Sequence, residues 1–252
     1  DEKILLEEPS LPALKARVSI VHKIIYLIFN EGYKSSWGKE ILREELCEEA
    51  LLMNRALLKS GNGNKDTAAL NALMLFNAAR FKARFSAAGE LLDLEEQDRS
   101  LWNRNLINLA CEFLIQSGGE GVSAYHYEAS IACLHCKAES FGATDWPAIT
   151  RLYLNLLKIN PNPFVELSYA IALYYSCEKE KAFKIVNELQ KGPFLNQYYL
   201  LNATLGKMHF LEGNRQKAKE YFQKTLTQTP FQAERNFIAK MIEKAERAHA
   251  ID

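Results

Sequence analysis

A chain of 252 residues with 31 basic and 31 acidic side chains has no net charge, so it lacks the basic excess that drives phosphate neutralisation, and direct nucleic-acid contact is not expected. Hydrophobic residues make up 48%, enough for a continuous core and too many for a disordered chain. The apolar stretch from Ile20 to Phe29 is broken by His22, Lys23 and Tyr26 and is too short to span a bilayer. With no secretory signal either, the expected location is the cytoplasm, with no membrane contact.

The chain starts at Asp1, and residues 1–10 are an acidic run containing Pro9. They are expected to be the remnant of a linker from a missing N-terminal module. From there on, apolar residues recur three and four apart and strict alternation is absent. This predicts helices over about 11–30, 39–59, 65–83, 98–117, 123–140, 145–158, 163–176, 179–191, 195–211, 214–228 and 230–249. Gly32 suits the end of the first helix, where a left-handed conformation is cheap. Asp66 and the Asp145-Trp146-Pro147 run carry helix-initiation chemistry. Arg84 to Gln97, with Gly89 among acidic and apolar residues, is expected as an ordered loop. Ser117-Gly118-Gly119-Glu120-Gly121 reads as a flexible joint and the best candidate for a subdomain boundary. Cys47, Cys111, Cys133, Cys136 and Cys177 fall in stretches that read as helix, which implies reduced, mostly buried thiols.

The second half repeats itself. Leu205-Gly206, His209, Ala218, Phe222 and Pro230 fit the offsets of a tetratricopeptide unit, with Asn202 in place of the usual Trp. A looser unit precedes it at Tyr169-Ala170, Leu173, Ala182, Val186 and Pro193. Ala148, Leu152 and Pro161 match half of another, offset by an insertion around Phe141 to Thr144. Small residues would let paired helices approach, and large ones would fill the gap to the next pair. An antiparallel bundle would share the periodicity, but the repeat spacing favours stacking. The expected fold is all-α: a single domain over 11–252 of stacked antiparallel hairpins forming a tetratricopeptide-like right-handed superhelix. Within it, 11–117 are hairpins, 123–230 repeats and 231–249 a capping helix.

Few residues suggest chemistry. Asn30, Glu31 and Tyr33 group around Gly32. Asn77, Arg80 and Arg84 share a helical stripe. Gln97, Asp98, Arg99 and Trp102 follow an acidic start, and Glu95 and Glu96 could pair ionically with the arginine stripe. Either the two segments bind each other, or these ten residues form a groove that grips another protein. Cys133-Leu134-His135-Cys136, with His126 one heptad earlier, lacks the second ligand pair that a structural zinc site needs, so no metal is expected. There is no phosphate loop, nucleophile elbow or His-Glu-x-x-His, so neither a catalytic residue nor a cofactor is expected.

The strings YLIFNEGY (Tyr26–Tyr33), LMLFNAAR (Leu73–Arg80), EEQDRSLW (Glu95–Trp102) and YHYEASIACLH (Tyr125–His135), followed by Thr144-Asp145-Trp146, occur in the order seen in one protein class. They resemble the C-terminal extension of bacterial extracytoplasmic-function RNA polymerase sigma factors. The resemblance runs from about residue 11 to the end, with Asn103 where the class has Asp. It implies a tetratricopeptide-like domain that controls the sigma factor's activity in transcription initiation. The implied partners are the factor's own DNA-reading regions, absent from this chain, RNA polymerase or a signalling protein. The rival expectations are a generic peptide-binding repeat scaffold, and an enzyme or small-molecule sensor with a pocket near Glu95 or His135.

Overall fold

The amphipathic segments are helices, and they pack in neighbouring pairs. A computed structural model describes residues 11–35, 41–192 and 198–247, with the backbone alone for Leu11, Leu14 and Lys15. Among the described residues the chain is all-α apart from one isolated antiparallel bridge, Phe85 to Leu91. The linker expected over 1–10, the helix starts expected at 39 and 195, the repeat position Pro193 and residues 248–249 lie outside the described residues.

The chain divides into two compact units. One takes residues up to Ala78 together with Asn105–Ala129, and the other takes Ala79–Arg104 and everything from Ser130. The division falls after Ala78, after Arg104 and, inside a helix, after Ala129, and not at the glycine-rich joint of residues 117–121 that the sequence suggests. The joint is stapled within the first unit: Nε2 of buried His126 lies 3.0 Å from the Ser117 carbonyl oxygen, and its Nδ1 accepts the Ser123 N–H at 3.1 Å.

The first unit holds α1 (Leu11–Tyr33), α2 (Glu44–Lys59), α3 (Lys65–Ala78), nearly all of α4 (Arg104–Gln116) and the first turns of α5 (Ala124–Lys137). Every residue from Thr67 to Phe76 is buried, which explains an Ala- and Leu-rich segment with no polar face. Its cap is Asn64, where Asp66 was expected. The Asn64 carboxamide oxygen accepts the Thr67 N–H at 3.1 Å, and the Thr67 hydroxyl accepts the Asn64 N–H at 2.9 Å. Asp66 sits one residue into the helix, in its first turn. Gly32 also departs from expectation. It lies inside α1, and a Cβ there would meet Cys47 Sγ at 2.7 Å, Cys47 N at 2.8 Å and Arg43 O at 2.9 Å. The missing side chain serves helix approach, not a left-handed cap.

The second unit begins with the loop after α3. Ser86 N–H donates to Glu90 O at 2.8 Å and Leu92 N–H to Arg84 O at 2.9 Å, so the Arg84–Gln97 loop is ordered. Short 3-10 turns at Phe81–Ala83 and Arg99–Leu101 replace the ends of two predicted helices. Then come the rest of α5, α6 (Trp146–Ile159), α7 (Pro163–Tyr175), α8 (Lys179–Lys191), α9 (Tyr199–Leu211), α10 (Arg215–Gln228) and α11 (Gln232–Arg247). Asp145 caps α6 by accepting the Ala148 N–H at 2.9 Å, as its sequence predicts. All five cysteines are free thiols. Cys177 is exposed and sits outside the helices, at φ 65° in the turn after α7, where a helix reading had placed it.

Some of the predicted repeat positions lie in the core, while Pro161 and Pro230 are exposed and Ala148 and Leu152 half-buried. Ala170, Leu173, Ala182, Val186, Leu201 and Leu205 are buried together, and Ala218 and Phe222 pack with Ile238 and Met241. His209, at the aromatic position, stacks on Tyr221 at 5.5 Å. A Cβ on Gly206 would stand 2.6 Å from two ring carbons of fully buried Phe222. Gly206→Ala is therefore expected to cost about 2 kcal/mol, because the buried ring must shift out of its packed position to admit the methyl. A urea unfolding midpoint unchanged from the parent would disprove such close helix packing.

Candidate interaction surfaces

The ten residues singled out from the sequence fall in both units. Asn30, Glu31, Tyr33 and Asn77 belong to the first, and Arg80, Arg84, Gln97, Asp98, Arg99 and Trp102 to the second. Asn30 is exposed at the end of α1. Glu31 accepts the Ser35 hydroxyl at 3.0 Å, and Tyr33 stacks on buried Phe29 with ring centres 6.1 Å apart. The Asn77 carboxamide donates to Leu73 O at 3.0 Å, one turn back along its own helix.

In the second unit, Trp102 is only 2% exposed and the Arg99 guanidinium lies 4.5 Å over its ring. Arg80 stands 5.9 Å from the same ring, and Asn103 N–H donates to Ala79 O at 2.8 Å. The two motif segments on either side of the loop thus meet through cations on an indole. Arg99 Nη1 donates to His135 O at 2.6 Å and Ala138 O at 2.8 Å, closing the last turn of α5. Burial, with Arg80 and Arg104 nearby, lowers the Arg99 pKa. Arg84 is buried 5.9 Å from the Phe85 ring, and half-buried Gln97 lies beside these groups in sequence. Asp98 alone of these six is exposed. It accepts the Ser100 N–H at 2.8 Å, and that residue's hydrogen bonds hold its carboxyl below the usual range. Arg84, Arg99 and Trp102 therefore spend their side chains inside their own unit.

Two surfaces escaped the sequence reading. On α1, Ile20, Val21, Ile24 and Leu27 form an apolar stripe, with Ile20 56%, Ile24 52% and Leu27 67% exposed. The stripe is a candidate contact surface. The apolar run from 20 to 29, interrupted at His22, Lys23 and Tyr26, is visible in the sequence, but which of its sides faces water is not. In the second unit, a row of ion pairs joins the loop to the repeats. Lys207 lies 3.0 Å from Glu95 and 3.4 Å from Asp93, Lys244 lies 3.1 Å from Glu96, and Lys240 pairs with Glu90. These partners are more than a hundred residues apart in sequence, so no local pattern announces them.

A cavity of about 330 Å³ in the second unit is lined by Glu95, His135, Phe141, Trp146, Tyr175 and Lys207, among others. Trp146 stacks on Tyr175 at 4.7 Å, and Phe141 and His135 meet Trp146 edge-on at 5.1 and 5.3 Å. The His135 pKa is pushed down to about 3 by burial and by Arg80 and Arg99. Tyr175 is pushed up to about 12 by burial, with Lys207 opposing and Glu95 and Asp93 reinforcing the rise. Both shifts favour the neutral form. Among the described residues no three His, Cys, Asp or Glu side chains converge as metal ligands, and Cys133 and Cys136 pack in the interior. No helix of the described residues is long and apolar enough to cross a membrane.

Helices packed in neighbouring pairs, in two compact units, define an all-helical protein with repeat-like packing. Residues 17–118 match a family described as a family of unknown function (DUF6596). An uncharacterized protein of Rhizobium meliloti (strain 1021) is 33% identical over 224 residues, covering 88% of this chain and 52% of that protein. The chain thus spans about half the length of this curated relative.

Proposed function

We propose that this chain is the regulatory C-terminal domain of a bacterial extracytoplasmic-function sigma factor. It modulates transcription initiation through protein–protein contacts, not by catalysis or by touching DNA. The observation that carries the reading is the ordered set of motifs. Tyr26–Tyr33, Leu73–Arg80 and Glu95–Trp102 all lie within the residues that match the family. A relative about twice as long leaves room for DNA-reading regions beside a domain of this kind. Zero net charge suits a partner that is protein, and the apolar stripe on α1 offers it a surface.

The test uses the native full-length product with purified core RNA polymerase. Run-off transcription on genomic DNA should give discrete transcripts that core polymerase alone does not give. Ile24→Glu with Leu27→Glu should change their yield several-fold while the melting temperature stays near the parent's. Absence of promoter-specific transcripts sinks the sigma-factor reading. Unchanged yield with both glutamates in place sinks the stripe as the contact.

The aromatic cavity favours a second reading, a small-molecule sensor, since it lies beside both Glu95 and His135 and its 330 Å³ is in the range of ligand sites. A metabolite that shifts the melting temperature of the parent but not of Trp146→Ala would support that reading.

A further inference from the structure

We propose that the face formed by α7, α9 and α11 is a docking site for an acidic, leucine-bearing peptide, and that the chain's own Glu90–Glu96 segment is its built-in occupant. The segment reads Glu90-Leu-Leu-Asp93-Leu94-Glu95-Glu96 and lies within the same compact unit as those helices. All four of its carboxylates reach lysines of the repeats: Asp93 and Glu95 pair with Lys207 on α9, and Glu90 and Glu96 with Lys240 and Lys244 on α11. With the segment lifted away, the face would present three cations with no matching charge among the described residues. Nearby acids are engaged elsewhere: Glu212 with Lys179 and Tyr174, Glu243 with Arg247, and Glu246 with Lys219.

The segment fills the face only in part. Beside Asp93 and Lys207 an apolar groove of about 180 Å³ remains open, walled by Leu200, Leu211, Phe237 and Met241. A peptide with acids at the same spacing and larger apolar side chains would keep the lysine contacts and fill that groove. The occupant can also be exchanged. Its pairs with Lys240 and Lys244 are solvent-exposed and individually weak, those with Lys207 are half-buried, and its tether gives it a high effective concentration. The proposal goes beyond the sigma-factor reading and does not depend on it, since the surface would bind such a peptide whatever the protein regulates.

The test is fluorescence anisotropy with a labelled synthetic peptide of residues 88–98. It is titrated into the parent and into a variant carrying Glu90→Gln, Asp93→Asn, Glu95→Gln and Glu96→Gln. The neutralised segment should release the face, so the variant should bind the peptide about tenfold more tightly than the parent. Adding Lys240→Glu and Lys244→Glu should abolish the gain. Equal binding by parent and variant, no binding by a folded variant at millimolar peptide, or binding that survives the lysine reversal would each overturn the proposal. If the variant does not fold, hydrogen exchange on the parent decides. Excess unlabelled peptide should speed exchange of the amides at 90–96, and unchanged exchange at millimolar peptide overturns the proposal.

Discussion

Gly32→Ala is expected to lower stability by about 3 kcal/mol, a large share of what a domain of this size possesses. Within a helix the substitution normally helps, because alanine gains up to about 1 kcal/mol over glycine in helix propensity. Here the sign reverses. The new methyl would sit under 3.0 Å from three atoms, two of them backbone atoms of Arg43 and Cys47, which cannot turn aside as a side-chain tip can. The start of α2 would have to retreat. That would stretch the hydrogen bond from Arg43 N–H to Gly32 O, now 2.7 Å, and the contact of Cys47 Sγ with Phe29 O at 3.5 Å. Gly142→Ala is the control, since a Cβ there meets nothing within 4 Å. Urea denaturation of both variants settles the matter: a Gly32→Ala protein as stable as the Gly142→Ala one would mean that α1 and α2 do not approach so closely.

That prediction also marks the limit of what the sequence discloses. Helix positions follow from apolar spacing alone, because a stripe must find a core. The segment 179–191 is the clearest case, since its predicted and observed bounds coincide. The repeat offsets were legible too. Gly206 and Phe222 belong to one steric pattern, and the structure puts one against the other. Gly32 carries an ambiguous signal. A glycine near a helix end is as compatible with a left-handed cap as with a close crossing, and only the partner helix decides. The small residues Cys47 and Ala50, both fully buried on α2, were the available clue. Arg99 and Trp102 were legible as a group but not as buried, because Arg99 spends its donors on backbone carbonyls 36 and 39 residues away. The lysine row was illegible for the same reason. Each lysine looks like an ordinary solvated charge until the fold lays the acidic segment beside it.

Acid is expected to destabilise this protein through its histidines well before its ordinary carboxylates titrate. The His135 pKa is pushed down to about 3 from an ordinary 6.5, chiefly by burial and then by Arg80 and Arg99, and its Nδ1 is buried without a hydrogen-bond partner. The unfolded chain would take up a proton near pH 6.5 that the folded one refuses until about pH 3. Stability is thus fully present above 6.5, falls as the pH drops through that window, and levels off below about 3. For His135 alone the loss between pH 7 and pH 5 is about 2 kcal/mol. His22, buried against Thr67 with Asp66 partly compensating, and His209, stacked on Tyr221, are shifted the same way and add to it. Glu128 acts in the opposite sense. Burial raises its pKa against the hydrogen bond from Tyr26, so its folded form gains as the pH falls. A His135→Phe variant separates these effects, because it keeps a flat ring beside Trp146 and removes one proton site while Glu128 and the other histidines stay. Urea unfolding at pH 7 and pH 5 should show the parent losing about 2 kcal/mol more than the variant. Equal losses would mean that the fold does not hold His135 neutral.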